Sequence, residues 1–141
     1  MMKSIFLKKN EERRLLTGHF WVYSNEIDTK VSPLRNFLPG ELVIIKSAAN
    51  KDLGVGYINP NTLLCVRLLA RNISDNINSY FFVHKIRRAL ALREICFAKP
   101  FYRLIFGESD LLPGLVVDRF GDIFVVQLNA AGMENLKEHI V

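Results

Sequence analysis

Cysteine and histidine are scarce, two of one and three of the other in 141 residues. Cys65 and Cys96 have no CxxC spacing and no adjacent histidine pattern, which argues against a zinc framework. Both are expected to be buried thiols, because a reducing compartment discourages disulfides. Long apolar runs are also missing. No stretch approaches the roughly 18 residues that span a bilayer. The one apolar block near the start, Ile5-Phe6-Leu7, is shorter than a secretory core of about 7–15 residues. No membrane partner is therefore expected, and a cytoplasmic location follows by default. What remains is half hydrophobic and 23% charged, the profile of a soluble globular chain with one ordinary domain or two small ones.

The net charge of +5 is unevenly spread. Residues 1–72 carry 11 Lys and Arg against 6 Asp and Glu, whereas residues 73–141 carry 8 of each. All of the excess lies in the first half, where one stretch stands out, Glu11-Glu12-Arg13-Arg14-Leu15-Leu16-Thr17-Gly18-His19-Phe20-Trp21-Val22-Tyr23-Ser24. It predicts a short basic helix N-capped by Asn10 and ended by Gly18, then an aromatic strand with Phe20/Val22 and Trp21/Tyr23 on opposite faces. Arg13, Arg14 and His19 would gather at a glycine whose bare backbone a polyanion can approach, with Lys8 and Lys9 just upstream. The pattern points to a nucleic-acid contact surface, RNA above all. Trp21 is a candidate for base stacking, although a strand tryptophan in a small barrel is more commonly core. His19 either contacts RNA or closes the turn. Lys46, Lys51 and Arg71 are more generic cations.

Turn signals and β-branched runs then mark strands at 2–7, 41–46, 53–58 and 62–69, with Gly54 and Gly56 on one strand face and Arg67 inside the last strand. The expectation is α+β. A small β-barrel with one or two short helices covers residues 1–72. An incomplete α+β domain follows over 73–141, opening with an amphipathic helix at about 79–97. On that helix Phe82, Ile86, Leu90 and Arg93 share a stripe, with Val83 and Ala89 beside it. His84, Lys85, Arg87 and Arg88 face away. A strand at 102–106, a hairpin around Arg119-Phe120-Gly121-Asp122 and a last helix after Gly132 complete it. Three strands and an unfinished helix are expected to be the front of a longer polypeptide.

Two stretches resemble a known family. Gly18-His19-Phe20-Trp21-Val22-Tyr23-Ser24, with Gly54-Val55-Gly56-Tyr57-Ile58-Asn59-Pro60 and Arg67, is similar to the N-terminal PUA domain of bacterial ribosomal RNA large-subunit methyltransferases. Phe20 departs from that pattern, which has proline there. Tyr102-Arg103 through Gly107-Glu108-Ser109-Asp110, and Leu112-Pro113-Gly114-Leu115-Val116-Val117-Asp118-Arg119-Phe120-Gly121-Asp122, resemble the family's β-β-α-β-β middle domain. The resemblance implies an S-adenosylmethionine-dependent parent that makes 5-methylcytosine in 23S ribosomal RNA. It implies ribosomal RNA as partner, through Gly18, His19, Trp21 and Arg67 of the matched motifs, beside the cations Lys8, Lys9, Arg13 and Arg14 that the charge pattern singles out. The glycine-rich cofactor loop, Asp-Pro-Pro-type motif and cysteine nucleophile of the catalytic domain do not occur in this sequence. No catalytic, cofactor-binding or metal-ligating residue is therefore assigned in this chain, which is expected to be inactive alone.

Two other readings stand beside it. Glu108, Asp110 and Asp118 could serve a free-standing metal-dependent enzyme, although Arg103 and Arg119 are available to neutralise them in a structural turn network. Alternatively an exposed sheet edge could make the chain a protein-interaction module or homodimer.

Overall fold

The amino-terminal strand β1 (Lys3–Phe6) lies parallel to β3 (Glu41–Lys46), pairing Ile5 with Ile45. The computed structural model describes residues 1–141, which divide into two compact units, Met1–Asp75 and Asn76–Val141.

In the first unit β3, β4 (Asp52–Ile58), β5 (Leu64–Ala70) and β2 (Trp21–Tyr23) follow β1 as antiparallel neighbours, in the order β1-β3-β4-β5-β2. The segments that follow the two outer strands are bonded to each other as well. Leu7 bridges Ile27, Lys8 N–H donates to Glu26 O at 2.9 Å, and Asp28 N–H donates to Phe6 O at 2.9 Å. Alternation sends Ile5, Val22, Val43, Ile45, Ile58, Val66 and Leu68 into one core, together with Leu15 from the helix. Gly56 pairs with Val43 and Leu68, so it sits on this core-facing side. A side chain there would collide with the Arg67 carbonyl, and one at Gly54 with the Ala70 carbonyl. These glycines let β4 and β5 approach closely.

The basic helix is much shorter than expected. It is a single turn, α1 (Arg13–Leu16), and Asn10 does not cap it. Asn10 instead adopts a left-handed φ of 70°, and its carbonyl accepts Arg13 N–H. A segment that buries only Leu15 has little to sustain further turns.

The second unit opens with α2 (Ser79–Cys96), whose first turn is capped by the Asn78 side chain accepting Phe81 N–H at 3.2 Å. The antiparallel sheet β6 (Phe101–Phe106), β7 (Leu115–Phe120), β8 (Ile123–Leu128) follows. Phe120 pairs with Ile123, so the hairpin turns on Gly121-Asp122 alone, with Gly121 at φ 65°. The predicted last helix is two pieces, α3 (Ala131–Asn135) and α4 (Lys137–Ile140), with Gly132 inside the first. The break falls at Leu136, which leaves helical geometry and is itself buried. Phe82 and Ala89 of α2 are buried, but Val83, Leu92 and Ile95 are exposed, and Lys85 lies over the Phe81 ring at 4.9 Å. The expected separation of an apolar and a basic face is therefore incomplete. No helix is long and apolar enough to cross a membrane.

Candidate nucleic-acid interface

The turn after α1 is built from backbone bonds that glycine makes possible. Gly18 N–H donates to Leu15 O at 3.2 Å and His19 N–H to Arg14 O at 3.1 Å, with Gly18 at φ 110°. Nothing lies within 4 Å of where a Gly18 side chain would be. This leaves bare backbone open to a large ligand. Arg71 holds the turn from β5's end. Its guanidinium donates to Leu15 O at 2.6 Å and His19 O at 3.3 Å and sits 5.5 Å from the Phe20 ring centre. Sequence ranks Arg71 among generic cations, because the turn it clamps lies more than fifty positions away. Its backbone contacts make it the positioning residue of this corner.

Arg14 is partly committed. It donates to Glu26 Oε1 at 3.2 Å and stacks 5.2 Å from the Tyr23 ring centre, yet its side chain stays 41% exposed. The same Glu26 oxygen accepts Tyr23 N–H at 2.8 Å, and Glu26 is buried. A buried carboxylate with two donors thus ties α1 to the end of β2. Beside this cluster an open hollow of about 570 Å³ is lined by Glu11, Arg14, Tyr23, Asn25 and Leu63, among others. Glu26 and Tyr23 carry no motif, so sequence reading passes over them.

Trp21 is 38% exposed rather than core, because Val22 takes the inward position of β2. It pairs across the sheet with Arg67, whose Nε is buried without a hydrogen-bond partner. Lys8, Lys9, Arg13, Gly18 and His19 are all exposed. Bonds and register thus join Arg14 to Glu26 and Tyr23, Trp21 to Arg67, and the Gly18 turn to Arg71. No such contact links the side chains of Lys8, Lys9 and Arg13 to those groups.

The acidic residues of the second unit do not form one site. Asp110 accepts from Arg93 at 2.7 Å and from Phe106 N–H at 2.7 Å. Asp118 accepts from Arg103 Nε at 2.8 Å and from Nη2 at 3.1 Å. Arg119 is not a neutralising partner; it donates to Gly121 O and to the Tyr102 hydroxyl. Arg93, expected on the apolar stripe of α2, takes that role instead. No group of three His, Cys, Asp or Glu is placed to hold a metal. The forked bond from Arg103 holds the Asp118 carboxyl below the usual aspartate range. Cys65 is buried and its thiol is pushed up to about 11 by desolvation, whereas Cys96, at the end of α2, is exposed rather than buried.

Comparison with known proteins adds a family context. Residues 5–71 match the model of a PUA-like domain. The chain is 33% identical over 145 residues to ribosomal RNA large subunit methyltransferase I of Tolumonas auensis, an alignment covering all of this chain and 36% of that protein. It is 35% identical over 144 residues to the protein of the same name from Aliivibrio fischeri strain ES114, again covering all of this chain and 36% of the relative. The chain therefore spans about a third of the length of the curated relatives it matches. A solved structure described as a candidate SAM-dependent methyltransferase from Streptococcus mutans shares the fold, with a TM-score of 0.79 at 19% identity, over 99% of this chain and 36% of that one.

Proposed function

With a PUA-like domain present over residues 5–71, we propose that this chain is the RNA-gripping portion of a ribosomal RNA large-subunit methyltransferase. Residues 1–72 hold ribosomal RNA, and residues 73–141 connect that grip to a catalytic domain that lies in the remaining length of the relatives. The parent reaction is S-adenosylmethionine-dependent methylation of cytosine C5 in 23S ribosomal RNA. The bonds between Phe6, Leu7 and Lys8 at the end of β1 and Glu26, Ile27 and Asp28 beyond β2 support reading the first sheet as a closed barrel, which would remove its free edges.

The residues present do not fit S-adenosylmethionine. The paired glycines of β4 pack against carbonyls of β5 and leave no cradle, so no methyl-transfer step is derived on this chain. Its contribution is binding.

The observation that carries the reading is the Gly18 turn: bare backbone beside exposed Arg13 and His19, clamped by Arg71, in the half of the chain that holds the excess cations. Phosphate neutralisation by Lys8, Lys9 and Arg13 would supply most of the affinity, with Arg14, already paired to Glu26, keeping its other N–H groups for RNA and Trp21 and Arg67 offering a flat face to a base. The test measures binding of a 23S ribosomal RNA fragment across a salt series. Lys8→Ala, Lys9→Ala and Arg13→Glu together should weaken binding at low salt by about tenfold or more. They should also flatten the salt slope by roughly 0.7–0.9 per lost phosphate contact. Unchanged affinity and slope would remove this surface from consideration.

A further inference from the structure

We propose that the hollow beside α1 receives one guanine base of the bound RNA strand, an inference that rests on the RNA-binding reading above. At about 570 Å³ it falls within the range of small-molecule sites, roughly 300–1,000 Å³, and is ample for a nucleoside. Its electrostatics separate it from its surroundings. Two carboxylates, Glu11 and Glu26, and one guanidinium, Arg14, line it. Phosphate is therefore disfavoured inside, while Lys8, Lys9 and Arg13 are exposed on the same stretch of chain. The backbone of a strand would follow those cations, and a base would enter the hollow.

The polar groups select which base. Glu26 is spent on Tyr23 N–H and Arg14. Glu11 has no side-chain hydrogen bond or ion pair of its own, and it lines the hollow together with Arg14. Its carboxylate can accept two parallel bonds from adjacent donors. Guanine alone among the four bases presents such a pair on its Watson–Crick edge, N1–H beside the N2 amino group. Arg14 forms one hydrogen bond, to Glu26, and its remaining N–H groups suit the guanine O6 and N7 acceptors. Adenine and cytosine would bring a ring-nitrogen acceptor against Glu11, and uracil a carbonyl on either side of its single N–H. Leu63, largely exposed at the rim, gives the base an apolar surface to lie against.

The test uses the whole chain and fluorescent uridine hexamers carrying one central guanosine, adenosine or cytidine, or none, at low salt. The guanosine hexamer should bind about tenfold tighter than the other three. Glu11→Gln, which loses no intramolecular bond, should bring the guanosine-to-adenosine affinity ratio to within about twofold, and Arg14→Lys should lower it too. Equal binding of all four hexamers, or a ratio untouched by Glu11→Gln, overturns the guanine site and leaves the RNA reading intact. Failure of every hexamer and of the ribosomal fragment to bind the unmodified chain overturns both.

Discussion

Replacing Glu26 with alanine strips Tyr23 N–H of its 2.8 Å acceptor and Arg14 of its 3.2 Å partner. A buried donor left unpaired costs about 1–3 kcal/mol. Glu26→Ala should therefore lower unfolding free energy by roughly that amount, read from the urea midpoint at unchanged slope. Gly56 makes a second, steric case. A methyl group there meets the Arg67 carbonyl, a backbone atom that cannot swing aside. Gly56→Ala should cost on the order of 1–3 kcal/mol in the same experiment, although alanine ordinarily stabilises by shrinking the unfolded ensemble. The two cysteines offer a chemical readout. Cys65 is buried with its thiol held to about 11, and Cys96 is exposed. A thiol reagent at neutral pH should label one cysteine quickly and the other only on denaturation, with peptide mapping placing the fast label at Cys96.

Among the elements, α2 is fastened to the loop after β6 by Arg93 and Asp110, whose side chains are 14% and 6% exposed. Removing one partner of a buried pair leaves a charge without compensation. Arg93→Met should destabilise by about 3–5 kcal/mol, and the double variant with Asp110→Asn should recover part of that loss in a thermodynamic cycle. The ion pair between β6 and β7 responds to acid. Arg103 lowers the Asp118 pKa in the folded chain. The stabilisation is therefore present at neutral pH and is lost as pH falls through the folded value. The urea midpoint should drop on acidification from pH 7 to about 3, and Asp118→Asn should flatten that dependence. Strand β8 behaves differently again. Ile123, Phe124, Val125 and Val126 are exposed on an edge without lysine, proline or bulge. Such an edge invites pairing with another strand, so Val125→Lys should reduce any concentration-dependent association seen by sedimentation.

At the scale of the whole chain, the excess of cations lies in residues 1–72, whereas residues 73–141 are balanced. That division was legible in the sequence, because charge counts need no coordinates. So were most strands, the long helix and the hairpin at Gly121, because alternation, β-branched runs and turn residues are local signals that the packed chain obeys. The candidate surface was legible only in outline. Arg13, Gly18 and His19 announced themselves by proximity along the chain, whereas Arg71, Glu26 and the Arg93–Asp110 pair depend on partners 12 to 56 positions away. Periodicity put Val22 and Trp21 on opposite faces, as found, but β2 is too short to show which face is covered, and the pattern overstated α1, whose single turn rests on one buried leucine. The sequence by itself determined the order of elements and the half of the chain that carries the charge, both consequences of interactions between near neighbours. Tertiary structure alone decided which cations remain open to a ligand and which are spent on carboxylates and carbonyls, because a guanidinium's partner is chosen by where folding brings it.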